Sequence, residues 1–205
     1  MRIATRGSPL ARWQAEHVAA ALQARDPSLE VELVVVSTEG DRRRDVSLSE
    51  IGGKGVFVKE VQAALLDGRA EVAVHSAKDL PAIGPEGIVV AAVPERADPR
   101  DGLVGAALAH LAEGATVATG SRRRAVQLQE VRPDLRVIDL RGNIDTRVAR
   151  AQDPDVDAVV VAVAALDRLG RRDALAEVLE PGVMLPQVGQ GSLAIECRSD
   201  DAPTR

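Results

Sequence analysis

Residues 116–147 read TVATGSRRRAVQLQEVRPDLRVIDLRGNIDTR, and the fold class follows from how this stretch punctuates itself. The apolar TVAT runs into Gly120–Ser121, and LRVIDL runs into Arg141–Gly142–Asn143, so a strand–turn–helix unit occurs twice in succession. Ser121 and Asn143 are N-cap residue types, so each turn offers backbone N–H groups at the positive end of a helix dipole. In a parallel sheet both turns fall at the carboxyl ends of the strands, the edge where open α/β folds bind ligands. The stretch carries Arg122, Arg123, Arg124, Arg132, Arg136, Arg141 and Arg147. A single helical arginine is ordinarily solvated surface. Paired placement at two turns instead points Arg123, Arg124, Arg141 and Arg147 at one polyanion.

The chain as a whole is acidic, with a net charge of −5 over 205 residues, and its aromatics are Trp13 and Phe57. Nucleic acid wants a basic face and stacking rings, so no nucleic-acid partner is expected. The arginines form a local site suited to a small anion. Cys197 is the single cysteine, which excludes a disulfide framework and a cysteine-rich metal site; no metal is expected. The N-terminus lacks the apolar core of a signal peptide, and the longest apolar run, 158–166, is too short to span a bilayer. A cytoplasmic protein with no membrane partner is expected. Lysine occurs only at Lys54, Lys59 and Lys78, among 26 basic residues. Where arginine dominates, a retained lysine can mark a place that needs a compact, titratable cation.

Taken in order, RIATR (2–6) is a strand followed by Ser8 as N-cap and Pro9 at the first helical position. The helix runs to about Arg25, with Leu10, Trp13, Val18 and Leu22 on its inner side. VELVVVS (31–37) reads as a buried strand. Residues 40–55 are long, charged and glycine-rich, which suits a mobile functional loop. A helix then runs from about Val56 to Leu66, ended by Gly68. VAVHSAKDLP (72–81) carries the sharpest chemical signal: a strand of small apolar residues delivers His75, Ser76, Lys78 and Asp79 before Pro81 blocks continuation. Lys78 favours an ionised Asp79. His75 reads as a packed or hydrogen-bonded core histidine. After strand 88–92 the charged, proline-containing VPERADPRDGL reads as a crossing into a second unit. That unit ends in a helix near Leu166–Leu179, and the chain returns through the glycine-rich 186–191 into the strand SLAIEC. The predicted architecture is α/β: a discontinuous first lobe (1–94 with 188–205) and a second lobe (95–187), joined by two crossings, with a ligand cleft between them.

The motifs RIATRGSPLARWQA, GGKGVFVKE, AVHSAKDLP, GSRRRAVQL, LRGNIDTR and VGQGSLAIEC together resemble the porphobilinogen deaminase (hydroxymethylbilane synthase) family, in its order and spacing over nearly the whole chain. The resemblance implies a transferase of tetrapyrrole and haem biosynthesis, which joins four porphobilinogen molecules into hydroxymethylbilane with release of ammonia. It also implies two lobes like those of type II periplasmic binding proteins, a third domain whose cysteine carries a dipyrromethane cofactor, and a monomer as the expected state. Matched by motif, Asp79 is the catalytic carboxylate that stabilises the pyrrole cation. Arg6, Ser8, Ser76, Lys78, Thr119, Ser121, Arg123, Arg124, Arg141, Arg147 and Gln190 are the expected cofactor- and substrate-binding residues, with Lys54 and Phe57 at the active-site loop. Arginine forks suit the two carboxylates of each pyrrole unit, and an anion is needed where charge develops on pyrrole nitrogen.

Three departures from the family pattern stand out. Gly120 replaces a common hydroxyl residue, and Ala194 replaces a usual glycine. The sequence ends before the third domain, and Cys197 matches a strand cysteine of the first domain, an inert core thiol by its context. The chain is therefore expected to be incomplete and inactive alone. The rival reading is a two-lobed binding module that closes on a carboxylate-rich small molecule without chemistry.

Overall fold

The computed structural model describes residues 1–38, 55 and 57–205. The chain divides into two compact units, Met1–Arg96 with Ser192–Arg205, and Ala97–Gly191. The segment expected as a mobile loop lies outside the described residues except for Gly55, and Lys54 lies outside them too.

The first unit contains β1 (Arg2–Arg6), α1 (Pro9–Arg25), β2 (Glu32–Val36), α2 (Lys59–Leu66), β3 (Val72–Ser76), β4 (Ile88–Ala92) and β10 (Leu193–Arg198). Its sheet has the order β2-β1-β3-β10-β4. Strand β1 pairs in parallel with β2 and β3, whereas β10 runs antiparallel to β3 and β4. Because side chains alternate across a strand, Ile3, Val72 and Val74 pack under α1 with Ala15 and Val18, while Ala4 and Ala73 pack on the opposite face with Val61, Ala64 and Leu65 of α2. Central strands covered on both faces explain the unbroken apolar runs. Strand β2 differs from its expected buried state. It is an edge strand with Val35 half exposed, since only β1 covers it.

Helix α1 begins as its punctuation predicts: Ser8 Oγ accepts from Ala11 N at 3.3 Å, and Pro9 opens the first turn. Its buried face, however, is Ala11, Gln14, Ala15 and Val18 rather than the larger Leu10 and Trp13. The small residues let the helix lie close on the sheet, and Trp13 turns aside to stack on His17, with ring centroids 4.9 Å apart. Helix α2 starts at Lys59, three residues later than predicted, and ends where Gly68 takes a left-handed φ of 69°.

The second unit contains β5 (Asp101–Gly105), β6 (Thr116–Ala118), α3 (Arg122–Val131), β7 (Arg136–Ile138), α4 (Ile144–Arg150), β8 (Ala158–Ala162), α5 (Val163–Arg168) and β9 (Leu175–Leu179), with sheet order β7-β6-β8-β5-β9. Its core gathers Leu103, Val117, Leu128, Val160, Leu179 and Met184. Neither sheet is wholly parallel. Each takes in one antiparallel inner strand, and in both cases it is the strand that follows a crossing, β5 or β10. Two expectations are corrected. Asp101–Gly105 is a strand, not crossing chain, and the helix expected to reach Leu179 stops at Arg168. Gly170 turns the chain with φ 65°, and residues 175–179 become an edge strand on β5.

Gly191 closes the second crossing. Its φ is 87°, and a Cβ there would overlap the carbonyl oxygen of Ala97, whose N–H donates to Gly191 O at 3.1 Å. Gly191→Ala should therefore lower stability by about 1–3 kcal/mol, the usual cost of a strained non-glycine backbone. Urea unfolding measures it, and an unchanged midpoint would refute the argument.

Candidate functional site

In the first unit, parallel pairing of Ile3 with Val72 and Ala4 with Ala73 brings the carboxyl ends of β1 and β3 to one sheet edge. A shallow open pocket there is lined by Arg6, Gln14, Phe57, His75, Ser76 and Asp79, with Ala11, Val58 and Val74. Each polar group is held by a local reason. Thr5 Oγ1 donates to Ala11 O at 3.0 Å and ties the end of β1 to the start of α1. Ser76 ends β3 and exchanges hydrogen bonds with the Gln14 side chain, at 2.9 and 3.3 Å. The chain then tightens into a 3₁₀ turn, Ala77–Asp79, that places Asp79 on the cavity wall. Ala77 N donates to Ser192 O at 3.0 Å, which fastens this turn to the start of β10. The Arg6 guanidinium lies 4.1 Å from the centroid of the Phe57 ring, within cation–π range.

Of the residues predicted here, Arg6, Phe57, Ser76 and Asp79 share the cavity. Ser8 serves as the α1 cap, and Lys78 stands half-buried on the same turn as Asp79. Gln14 and His75 also line the cavity, although neither was among the expected binding residues. Gln14 was legible as a polar residue on the inward stripe of α1, three residues after Ala11 and four before Val18. His75 is buried as predicted. Its Nε2 lies 3.2 Å from Glu196 Oε2 but off the line of a hydrogen bond, so it has a charged neighbour and no hydrogen-bond partner. Gln62 Nε2 donates to both Glu196 oxygens instead, at 3.1 and 2.9 Å.

In the second unit, β6 and β7 pair in parallel from Thr116–Arg136 to Ala118–Ile138, so the turns at 119–121 and 139–143 lie side by side. Gly120 permits that approach, because a Cβ there would overlap Leu140 O. Asn143 caps α4 as predicted, its Oδ1 accepting from Thr146 N at 2.9 Å. Ser121 stands at the N-cap of α3 but makes no side-chain cap bond. Thr119 Oγ1 takes up the Ser121 N–H instead, at 3.2 Å.

The predicted arginines divide into distinct roles. Arg124 is 5% exposed and gives its donors to Asp101 and to Val160 O. Arg123 donates to Asp101 Oδ2 at 2.7 Å and to Leu185 O, yet its Nε is buried without a hydrogen-bond partner. Arg141 Nη1 is likewise buried without one. Arg147 Nε donates to Gly142 O at 2.9 Å. Gln190, 1% exposed, spends its amide on Pro99 O at 2.7 Å and Asp101 Oδ1 at 2.9 Å. Burial alone would push the Asp101 carboxyl up, but Arg124 and Arg123 outweigh burial and hold it below the ordinary carboxylate range. Sequence reasoning passed over Asp101, whose only signal is an acid opening the apolar strand DGLVG.

Cys197 is wholly buried in β10, and burial pushes its thiol up, which leaves it in the protonated, unreactive form. Among the described residues no cluster of His, Cys, Asp and Glu could hold a metal, and no helix is long and apolar enough to cross a membrane.

The fold defines the class first. The chain superposes over its full length on the methionine binding protein MetQ (TM-score 0.56, 14% identity, 86% of that chain). It does the same on a nutrient binding protein from Burkholderia cenocepacia bound to methionine (TM-score 0.56, 16% identity, 88% of that chain). At these identities the likeness concerns the fold alone, that of type II periplasmic binding proteins. Sequence narrows the class: residues 1–205 match the family model "Porphobilinogen deaminase, dipyromethane cofactor binding domain". The chain is also 51% identical over 203 residues to the porphobilinogen deaminase of Nitratidesulfovibrio vulgaris. The chain belongs to the porphobilinogen deaminase family. It aligns over 98% of its own length and spans 64% of that relative.

Proposed function

We propose that this chain serves the head-to-tail joining of porphobilinogen into hydroxymethylbilane, a transferase step of tetrapyrrole biosynthesis. The observation that carries the reading is the pair of buried, unpartnered guanidinium donors, Arg123 Nε in the first turn of α3 and Arg141 Nη1 in the neighbouring 139–143 turn of the second unit. Buried donors of this kind cost free energy unless a partner supplies an acceptor, and a carboxylate is the geometric match to an arginine fork.

A dipyrromethane cofactor fits the same chemistry. Its acetate and propionate groups would be held by Arg123, Arg141 and Arg147, with Ser121 at the turn. When bound, the group supplies the acceptor pyrrole to which units are added. The residues of the first unit do the rest. In porphobilinogen the carbon–nitrogen bond of the protonated aminomethyl group breaks and ammonia leaves; the methylene carbon stays on the ring and bonds to the free carbon of the acceptor pyrrole, which then gives up its proton. Positive charge develops on the porphobilinogen ring as ammonia departs, and Asp79 supplies the fixed anion for the pyrrole nitrogen. Arg6, held over Phe57, and Lys78 offer cations to the substrate carboxylates. Gln14 and Ser76 fix one another and leave the cavity wall polar and ordered. Arg124, Thr119 and Gln190 act on the ligand through the groups they hold.

Arg141→Leu tests the reading. Truncating one partner of a desolvated charge pair typically costs about 2–5 kcal/mol of binding. Calorimetric titration with porphobilinogen should show that loss with little change in thermal stability. A change in stability alone, with binding intact, would refute the anion site.

A further inference from the structure

The second unit opens its first strand on a carboxylate that none of the recognised motifs contains. Asp101 is wholly buried. Its Oδ1 accepts from Arg124 Nη2 at 2.7 Å, Arg124 Nε at 3.1 Å and Gln190 Nε2 at 2.9 Å, and its Oδ2 accepts from Arg123 Nη2 at 2.7 Å. Two consecutive arginines would otherwise repel one another in a medium of low dielectric. One shared anion leaves the cluster at a net +1. The second donor direction of Arg124 goes to Val160 O, so that side chain is fully committed inside the protein. Arg123 is pinned at both ends, by Asp101 through Nη2 and by Leu185 O through Nη1. The donor left over is its Nε, buried and unpartnered.

We propose that Asp101 is the positioning residue of the second unit's anion site: it locks Arg123 with its Nε–H left unspent for a ligand carboxylate and commits Arg124 as an internal strut. The inference rests on the reading of that site as a carboxylate-pyrrole site. It has a sign that simple electrostatics does not share. Removing the carboxylate together with its Arg124 partner leaves the net charge of the cluster unchanged, so through-space electrostatics predicts no change in anion affinity, whereas releasing Arg123 from its fixed orientation should weaken it.

The experiment is a calorimetric titration of porphobilinogen into a double-mutant cycle. The pair Asp101→Asn with Arg124→Gln removes both ends of the buried ion pair, so neither is left as an uncompensated charge. Affinity should fall about tenfold, the scale of one charged hydrogen bond. In an Arg123→Gln background the same pair should cause no further loss, because its effect passes through Arg123. Tighter or unchanged binding, or a loss that adds to that of Arg123→Gln, overturns the inference. A measurement on the unaltered protein covers variants that fail to fold. Nitrogen-15 spectra should show a slowly exchanging Arg123 Nε–H that shifts with porphobilinogen while that of Arg124 does not. A solvent-averaged Arg123 signal, or a shift confined to Arg124, overturns the proposal equally. If Arg123→Gln and Arg141→Leu both leave porphobilinogen binding intact, the anion-site reading itself fails and takes this inference with it. If both weaken binding and the Asp101 pair does not, only the role of Asp101 falls.

Discussion

On the proposed reading, Asp79→Asn slows porphobilinogen consumption by the full-length, dipyrromethane-loaded enzyme, with the cysteine-bearing remainder of the chain supplied, by on the order of 10²–10³, the usual cost of losing one preorganised electrostatic group. The amide keeps the shape of the carboxylate and can still accept one hydrogen bond, but it no longer carries the charge that a cationic pyrrole needs. The loss should fall on kcat more than on KM, because the neutral ground-state pyrrole gains far less from the anion than the charged transition state does. Stability should hardly move. Asp79 stands half-buried on a short 3₁₀ turn whose backbone is fixed by Leu80 N to Ala77 O and Ala77 N to Ser192 O, not by the carboxylate. Ammonia release measured in single turnover separates the chemical step from binding. Near-normal turnover by Asp79→Asn would remove this residue from the mechanism.

What the sequence disclosed, and what it hid, divides along the range of the interactions. Short-range punctuation was legible. Ser8 with Pro9 starts α1, Asn143 caps α4, and Gly68 ends α2, because each device satisfies backbone groups within a few residues. The paired turns of β6 and β7 were also legible, since a repeated strand–turn–helix pattern in a parallel sheet must bring them to one edge. Strand β9 was not. DALAEVL has apolar residues spaced as on a helix, and only its pairing with β5, more than seventy residues earlier, makes it extended. Strand β5 was hidden for the same reason inside a charged, proline-containing segment.

The candidate site shows a similar division. The sequence disclosed that Arg123 and Arg124 are cationic and consecutive, but consecutive helical residues point in different directions. Arg124 turns into the unit onto Asp101 and Val160, while Arg123 stays partly exposed with one donor unspent. No local pattern distinguishes them; the partner carboxylate does. Gln190 follows the same logic. The family resemblance placed it among the ligand contacts, and its amide donates to Pro99 O and Asp101 Oδ1.

The buried pair also sets the expectation for stability. Arg124→Leu should cost about 3–5 kcal/mol, the range for leaving one partner of a buried ion pair without the other. The value should lie toward the lower end, since Arg123 and Gln190 still donate to Asp101. The acid side of the stability curve carries a second signature. The Asp101 carboxyl is held below its ordinary value in the folded protein, so in the unfolded chain, near about 3.9, it binds a proton more readily. Its contribution is therefore present in full above that unfolded value and is lost as pH falls through the lower folded one. Burial lowers the Arg124 pKa despite Asp101, but a guanidinium does not give up its proton in proteins, so Arg124 stays charged over this acidic range. Urea unfolding at neutral pH and at pH near 3 should thus show the wild-type advantage over Asp101→Asn shrinking as the solution is acidified. The gap between wild type and Arg124→Leu should narrow with it, because protonated Asp101 no longer needs a counter-ion. An Arg124→Leu protein within about 0.5 kcal/mol of wild type, the spread of ordinary surface substitutions, would show that the pair holds nothing together, and a pH-independent gap would show that Asp101 is not the group that titrates.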